Sequence, residues 1–582
     1  MAIKHIIIIF YKMRYIPFTA LVLVSIGIGA AFHPRSGKPN LPPAENIIGC
    51  APPLSGPTSD FNGKFIPPLP GLGKHTYAIT TRQDSAQFYF NQGINFYYSY
   101  HLNEALASFK EAARFDSSSA MVYWGQALSM GPYFNAYTYK MKSGVPSALA
   151  AMNRYRDNAT PKEQGLIDAM QKRYSTDTSN ADRPGLDRAY ANAMSGLVKQ
   201  YSGDNDIMAL YIDAVMLEHK WDFYNTDRTP KQWTPELVAL CETILKEDPD
   251  HPAAMHYYIH LTEASADPSR ALAGADRLKD DMPGVGHMVH MATHMYQRNG
   301  LFAKGVIVNE LSNTASNIED SLAPMLQLRK FENTHVFAVQ SYCALNAGMY
   351  SKGLPIYQRL RSKVVAGGQA FEHDPYSQWI YMIPTVALVR LGRWDEILQT
   401  DAPGQQWKYA QVIDHFARGM ANVRRKNLPA AKTDLDNLEA NLSDDLLNIR
   451  IMPFNKPAEC GKVAADILIA EILFAEGNHD AAITAINSAV TAEDALIYRE
   501  PQQWMIPARQ YLGLYLLKVN RPGEAEKVYR QDLDRNPGNG WSLLGLYQSL
   551  LAQKRSSEAA AAKEKYQKAF EAADITPVAS VF

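Results

Sequence analysis

The stretch AQFYFNQGINFYYSYHLNEALASFKEAARFD, residues 86–116, decides the reading of the fold. Small Gly93 and Ala105 alternate with aromatic Tyr89, Phe96 and Phe109, and Ala112 follows. The order returns downstream as RNGLFAKGVIVNE (298–310), NAGMYSKGLPIY (346–357), RLGRWDEIL (390–398), AEGNHDAAITAI (475–486) and VNRPGEAEKVY (519–529). Each copy is a turn residue, an aromatic or its equivalent, then a small residue. A period of 34 separates Pro249 from Pro283, Ala271 from Gly305 and Ala525 from Ala559. Such a period marks stacked supersecondary units rather than several independent domains.

This grammar resembles the tetratricopeptide repeat, in which small residues let two antiparallel helices approach while large ones fill the gap between them. The resemblance implies an all-α superhelical solenoid of antiparallel helix pairs with a concave inner wall. It is best matched in the C-terminal half at Gly513, Asn520, Ala525, Tyr529 and Pro537. Insertions are expected around 313–330, 364–376 and 440–462, whereas 131–203 and 219–235 depart most from the pattern and read only as helical. The Ala/Lys/Glu-rich SSEAAAAKEKYQKAFEAAD suits a capping helix.

Composition agrees with a folded chain. Of 582 residues, 46% are hydrophobic and 20% charged, and the net charge of -1 offers no field for a phosphate backbone or an anionic membrane, so nucleic acid is excluded as a default partner. Four cysteines (Cys50, Cys241, Cys343, Cys460) stand far apart without CxxC or CxxCH spacing, which disfavours a disulfide scaffold, a zinc knuckle and covalent haem. Cys241 and Cys343 read as inert core thiols. Pro70–His75 looks like a phosphate loop but lacks its first glycine, and no nucleotide fingerprint occurs elsewhere.

Lys4, Lys12 and Arg14 precede the uncharged IPFTALVLVSIGIGAAF of Ile16–Phe32. This is the pattern of a signal peptide over 1–32, with Met13 an alternative start and an uncleaved anchor the competing reading. Export to the periplasm or cell envelope is expected, without membrane insertion of the mature body. Residues 33–80 form a Pro/Gly-rich extended lead-in; Ile47–Cys50 mimics a lipoprotein box, but polar residues separate it from the apolar run. N-terminal helical repeats then occupy 81–250, a His-rich central array 251–363, and C-terminal repeats with the capping helix 364–582.

Six of the 15 histidines crowd into HPAAMHYYIHLTEAS (251–265) and GHMVHMATHMYQRNG (286–300). At 3.6 residues per turn, His287, His290 and His294 share one narrow arc, as do His256, His260 and Glu263. With Gly300 as the turn glycine and Gly305 as the small residue of the second helix, the unit begins at Gly286; the preceding one begins at Pro252. In the tetratricopeptide family, first-helix residues at the resulting offsets line the groove, and His335 falls at such an offset in the next unit. Imidazoles paired at i, i+4 suit zinc, copper or iron, so His256, His260, Glu263, His287, His290, His294 and His335 form the expected ligand set. Its affinity should fall below about pH 6 as imidazoles protonate. Inward histidines also serve as plain polar lining.

HYYIH and GHMVHMATHMYQRNG, with LGKHTYAITT (72–81) and residues 98–132, are similar to a group of exported bacterial tetratricopeptide proteins to which no reaction is attached. His101 lies in that matching region, where packing or capping is expected. Trp379 and Met382 fall inward by the repeat frame and read as packing before groove lining. Three functions follow as alternatives: an exported binding protein holding a transition metal; a metal-free scaffold that grips a protein or peptide partner in its groove; and a metalloenzyme in which His256, His260, His290 and His294 hold the ion and Glu263 acts as ligand or general base.

Overall fold

The computed structural model describes residues 63–136, 138–176, 182–326, 334–366, 369–450 and 455–582. The expected signal segment, the lipoprotein-like box with Cys50 and the lead-in as far as residue 62 lie outside these. Among the described residues there are twenty-four α-helices between Asp84 and Ala569 and no strand; an isolated bridge joins Tyr224 and Pro230. Successive helices pack as antiparallel pairs, and the pairs stack into a tetratricopeptide-like solenoid.

The small-large alternation is the physical basis of the pairing. A Cβ on Gly93 or Gly125 would sit 2.6 or 2.5 Å from the Phe109 ring, and one on Gly513 or Gly545 would sit 2.4 or 2.2 Å from Tyr529. The second helix of a unit therefore inserts one aromatic between two glycine-bearing first helices, giving the close approach that a side chain would forbid. Turn residues read from sequence end first helices in the left-handed region, Gly300 at φ +72° and Asn520 at φ +58° among them.

The long second helix Phe302–Leu322 fixes the central histidine helix Gly286–Arg298. Ser312 Oγ donates to the Gly286 carbonyl at 2.7 Å, and a Cβ on Gly286 would lie 2.9 Å from the Ser312 carbonyl oxygen. Two turns further along, Gly305 abuts Thr293 and the buried Cys343. Both Cys241 and Cys343 are buried free thiols whose ionisation burial opposes strongly.

Four segments depart from the repeat. The described part of the lead-in, 63–80, is extended and lies along the first helix pair, where polar side chains take its backbone N–H groups: Glu111 accepts from Phe65, Gln92 from Leu69, Asn91 from Tyr77 and Gln87 from Ile79, at 2.8 to 3.0 Å. Within it, the Pro70–His75 run is a strap, with Gly284 N donating to Gly71 O at 2.9 Å. The described residues of 131–144 and 219–233, expected to be helical, contain no helix; their turn-forming and polar-rich sequence favours turns over helical hydrogen bonds.

The fourth departure is Leu496–Pro507 between two C-terminal helices. Gln503 O accepts from Trp379 Nε1 at 2.9 Å, and Gln503 Oε1 accepts from Asn455 N at 2.7 Å. Trp379 and Met382 are buried against the core, as packing residues. Nearby, Arg298 Nη1 donates to Arg535 O at 2.9 Å, Arg228 Nη1 donates to Asp534 O at 2.6 Å, and the Gly300 turn abuts Gly538. The C-terminal repeats thus return to the histidine-bearing ones.

Candidate functional site

The expected ligand residues come together. His256 and His260 stand on the helix Pro252–Thr262, with Glu263 as its C-terminal cap; His287, His290 and His294 stand on Gly286–Arg298; His335 stands on Thr334–Asn346. Their rings form a continuous chain. Centroid separations are 5.0 Å for His287–His256, 4.9 Å for His256–His260, 5.7 Å for His260–His294, 4.9 Å for His294–His290 and 5.1 Å for His290–His335. Two nests stand out, His256/His260/His287 and His290/His294/His335, each with three ring nitrogens within 4.8 Å of one another. His260, Glu263 and His294 form a third grouping that joins the two.

Ring orientation is set from outside the nests. His256 Nδ1 lies 2.7 Å from the Tyr98 carbonyl oxygen, an acceptor only, so Nδ1 carries the proton and Nε2 presents its lone pair inward. The same logic holds for His290. Asn309 spends its amide N–H on the Gly305 carbonyl at 2.8 Å, which turns Oδ1 to His290 Nδ1 at 2.6 Å. Glu263 Oε2 takes His294 Nδ1 at 2.7 Å, and Glu263 Oε1 lies 3.2 Å from His260 Nδ1. Inside, His256 Nε2 meets His287 Nε2 at 3.1 Å and His290 Nε2 meets His294 Nε2 at 3.1 Å. Two nitrogens on one tetrahedral ion at roughly 2.0–2.1 Å lie about 3.3 Å apart, so both contacts have the span of a shared ion. His260 Nε2 and His287 Nδ1 are buried without a hydrogen-bond partner.

Burial distinguishes this centre from an open wall. His256, His290 and His294 are 0% exposed and His287, the most accessible of the seven residues, 5%. The expected groove is filled by aromatic rings and by the segment that carries Glu500. Tyr100 lies over His256 at 4.5 Å, while Phe134 and Trp221 close on His260 at 5.2 and 5.4 Å. Phe134 and Trp221 come from the two non-helical segments, so the departures from the repeat supply the lid of the centre. Glu500, which sequence reasoning missed, reaches His294 Nδ1 and is 1% exposed.

Electrostatics separate the imidazoles. Burial brings His260 and His290 down to about 3 and pushes His256, His287 and His335 well below 6.5, helped in each case by neighbouring imidazoles. His294 goes the other way. Burial opposes its charge, but Glu500 and Glu263 raise it to about 10. Burial, then Glu263, lifts Glu500 to about 7.

Two smaller clusters flank the centre. His101 Nδ1 lies 3.1 Å from Glu319 and 3.6 Å from Glu104, and these carboxylates outweigh burial to raise it to about 10. It makes no side-chain cap, so the expected capping role gives way to that of a buried cation between two glutamates. Asp206 Oδ1 receives His75 at 3.0 Å and Tyr98 Oη at 2.8 Å, with His251 at 3.5 Å. His251 Nδ1 accepts from Ala254 N, which makes it a helix cap and ties this trio to holding the lead-in.

No protein-family model matches the chain, and no curated protein matches it. Similar solved structures include yeast Tom70 at 10% identity, covering 84% of this chain and 93% of that one with a TM-score of 0.29. A human IFIT1 dimer with m7Gppp-AAAA is 14% identical over 85% of this chain and 92% of its own, with a TM-score of 0.29. The P58(IPK) TPR domain is 13% identical over 58% and 89%, with a TM-score of 0.18. Among the described residues, no helix is long and apolar enough to cross a membrane.

Proposed function

We infer that this chain is an exported tetratricopeptide-like binding protein whose buried histidine centre takes up a transition metal ion such as zinc, copper or iron. The observation that carries this reading is the outward anchoring of Nδ1 on His256 and His290 by Tyr98 O and Asn309, with their Nε2 atoms turned into the two nests. Metal-binding histidines are held in this manner, the second nitrogen fixed by a carbonyl or carboxylate that selects the tautomer and raises ligand basicity. Burial that keeps most of these imidazoles neutral favours the coordinating form. Export rests on the charge and apolar pattern of residues 1–32.

A metal-free scaffold is the second reading, favoured by a specific observation: His294, held as a cation by two carboxylates, can donate its Nε2–H to His290. The protein or peptide partner would then bind elsewhere on the solenoid. Metal analysis of protein purified without a polyhistidine tag separates the two. Stoichiometric metal in the wild type that is lost in a His256→Ala/His290→Ala double variant supports the centre; metal-free protein that also takes up no added zinc(II), copper(II) or iron(II) supports the scaffold.

A further inference from the structure

Glu500 arrives from a part of the chain with no repeat character and more than two hundred residues beyond the helices that carry His256 and His294. It is nonetheless as buried as they are. Its Oε1 accepts from the Tyr498 hydroxyl at 2.6 Å, while its Oε2 is turned onto His294 Nδ1, where Glu263 Oε2 also lies at 2.7 Å. One imidazole N–H cannot satisfy two carboxylates. Two carboxylates against one imidazole, even a protonated one, leave negative charge unbalanced in a dry interior, and a bound cation would balance it. The position is also the junction of the two nests: Glu263 reaches His260 through one oxygen and His294 through the other.

We propose that Glu500 is a metal ligand, completing the histidine centre together with Glu263, and that the bound ion clasps the Leu496–Pro507 segment onto the helices Pro252–Thr262 and Gly286–Arg298. The proposal rests on the metal-binding reading above. Hard carboxylate oxygen beside imidazole nitrogen matches zinc or iron(II) better than a thiolate-seeking ion such as copper(I). Tyr498 is to Glu500 what Asn309 is to His290, a partner that holds the ligand in place. The segment is further steadied by Trp379 and Asn455 at Gln503, and by Arg298, whose Nε donates to the Glu263 carbonyl at 2.8 Å and whose ring-facing side lies 5.3 Å from the Tyr498 ring centre. In this arrangement metal occupancy and closure of the segment over the centre are one event.

The test uses the full chain after chelator treatment, titrated with zinc(II) and iron(II) against a chromophoric chelator, with hydrogen exchange read over residues 496–507. The expected result is metal uptake, slower exchange across that segment on loading, and at least about tenfold weaker binding in Glu500→Gln with the added protection abolished. Glu500→Asp should keep part of both. Should Glu500→Gln fail to fold, the wild type alone decides, because loading that leaves exchange at 496–507 unchanged overturns the clasp. Wild-type affinity and protection retained in Glu500→Gln overturn the role of Glu500 while leaving the histidine centre standing. A wild type that binds neither ion overturns both.

Discussion

His290 Nδ1 lies 2.6 Å from Asn309 Oδ1, across the interface between the first and second helices of one repeat unit, and both residues are fully buried. Asn309 cannot rotate to donate instead, because its amide group is committed to the Gly305 carbonyl. The second helix of the unit therefore dictates which nitrogen of His290 faces the nest. Asn309→Leu should keep the solenoid's helical content while weakening zinc binding by about 10–100-fold, the usual effect of losing an outer partner. Asn309→Asp, which retains the acceptor, should lose far less. Competition titration against a chelator, with circular dichroism as the folding check, reads both; equal affinities in wild type and Asn309→Leu would remove His290 from the ligand set.

The pH profile of the metal-free protein follows from the same burial. His260 and His290 titrate at about 3 in the fold against 6.5 unfolded, and His256, His287 and His335 are shifted the same way. Between about 3 and 6.5 the unfolded chain binds more protons at these five groups, so stability falls as pH drops through that window. Glu500, raised to about 7 from 4.5, works against this by one proton. His101 and His294, raised to about 10, contribute stability that is complete below 6.5 and lost as pH climbs through 10. The thermal midpoint of chelator-treated protein should therefore peak near neutrality and decline on both sides. A midpoint that rises steadily from pH 7 to pH 4 would contradict neutral packing of the five imidazoles.

Helix phase is what made the centre legible in the sequence. A repeat frame anchored at Gly300 and Gly305 places His287, His290 and His294 on one face and brings His256, His260 and His335 to it from neighbouring rungs, because stacking repeats the same side-chain direction unit after unit. Glu500, Phe134 and Trp221 lie outside that periodicity. Their positions depend on loops whose course is fixed by tertiary contacts such as Trp379 to Gln503 O, and no spacing rule reports those. Burial was also hidden: an inward offset is the same for a residue on an open wall and for one beneath a filling segment. Asn309 had a faint signal, a polar residue in GVIVNE on a helix face otherwise given to packing.

Glycines that admit Tyr529 should be intolerant in a way that solvent-facing helical glycines are not. A Cβ on Gly513 would stand 2.4 Å from the Tyr529 ring, and Gly545 closes the other side at 2.2 Å, so the ring has no room to retreat. Gly513→Ala should destabilise the C-terminal repeats by about 1–3 kcal/mol of overpacking, less the ~1 kcal/mol that alanine returns through helix propensity. Gly196, in the helix Arg183–Gln200, has nothing within 4 Å of its added Cβ. Gly196→Ala should therefore be neutral or stabilising by up to ~1 kcal/mol. Paired urea titrations followed by helicity give the comparison, and identical midpoints for the two variants would mean that ring insertion does not limit helix approach.

The sequence beyond the capping helix Ser556–Ala569 carries no repeat signal, yet it returns into the array. Ser580 Oγ donates to the Gln510 carbonyl at 2.7 Å and meets Tyr529 Oη at 2.7 Å; Arg390 reaches Ser580 O at 3.3 Å. Arg424 places Nε and Nη2 on the Phe582 backbone oxygen at 2.9 and 2.7 Å while also pairing with the buried Glu471. Removing residues 578–582 strips acceptors from the buried Arg390 and half-buried Arg424 guanidinium groups and uncovers Trp541, whose ring lies 5.7 Å from that of Phe582. Each lost buried hydrogen bond to a charged group costs about 1.5–3 kcal/mol, so the truncated protein should melt at a lower temperature, with faster hydrogen exchange in the helices Ala508–Lys518 and Pro522–Arg535. Residues 252–298 should exchange as before, because the partners of Ser580 and Phe582 (Arg390, Arg424, Gln510, Tyr529 and Trp541) all lie in the C-terminal repeats. Loss of protection at the histidine helices on truncation would show instead that the solenoid unfolds as a single cooperative unit.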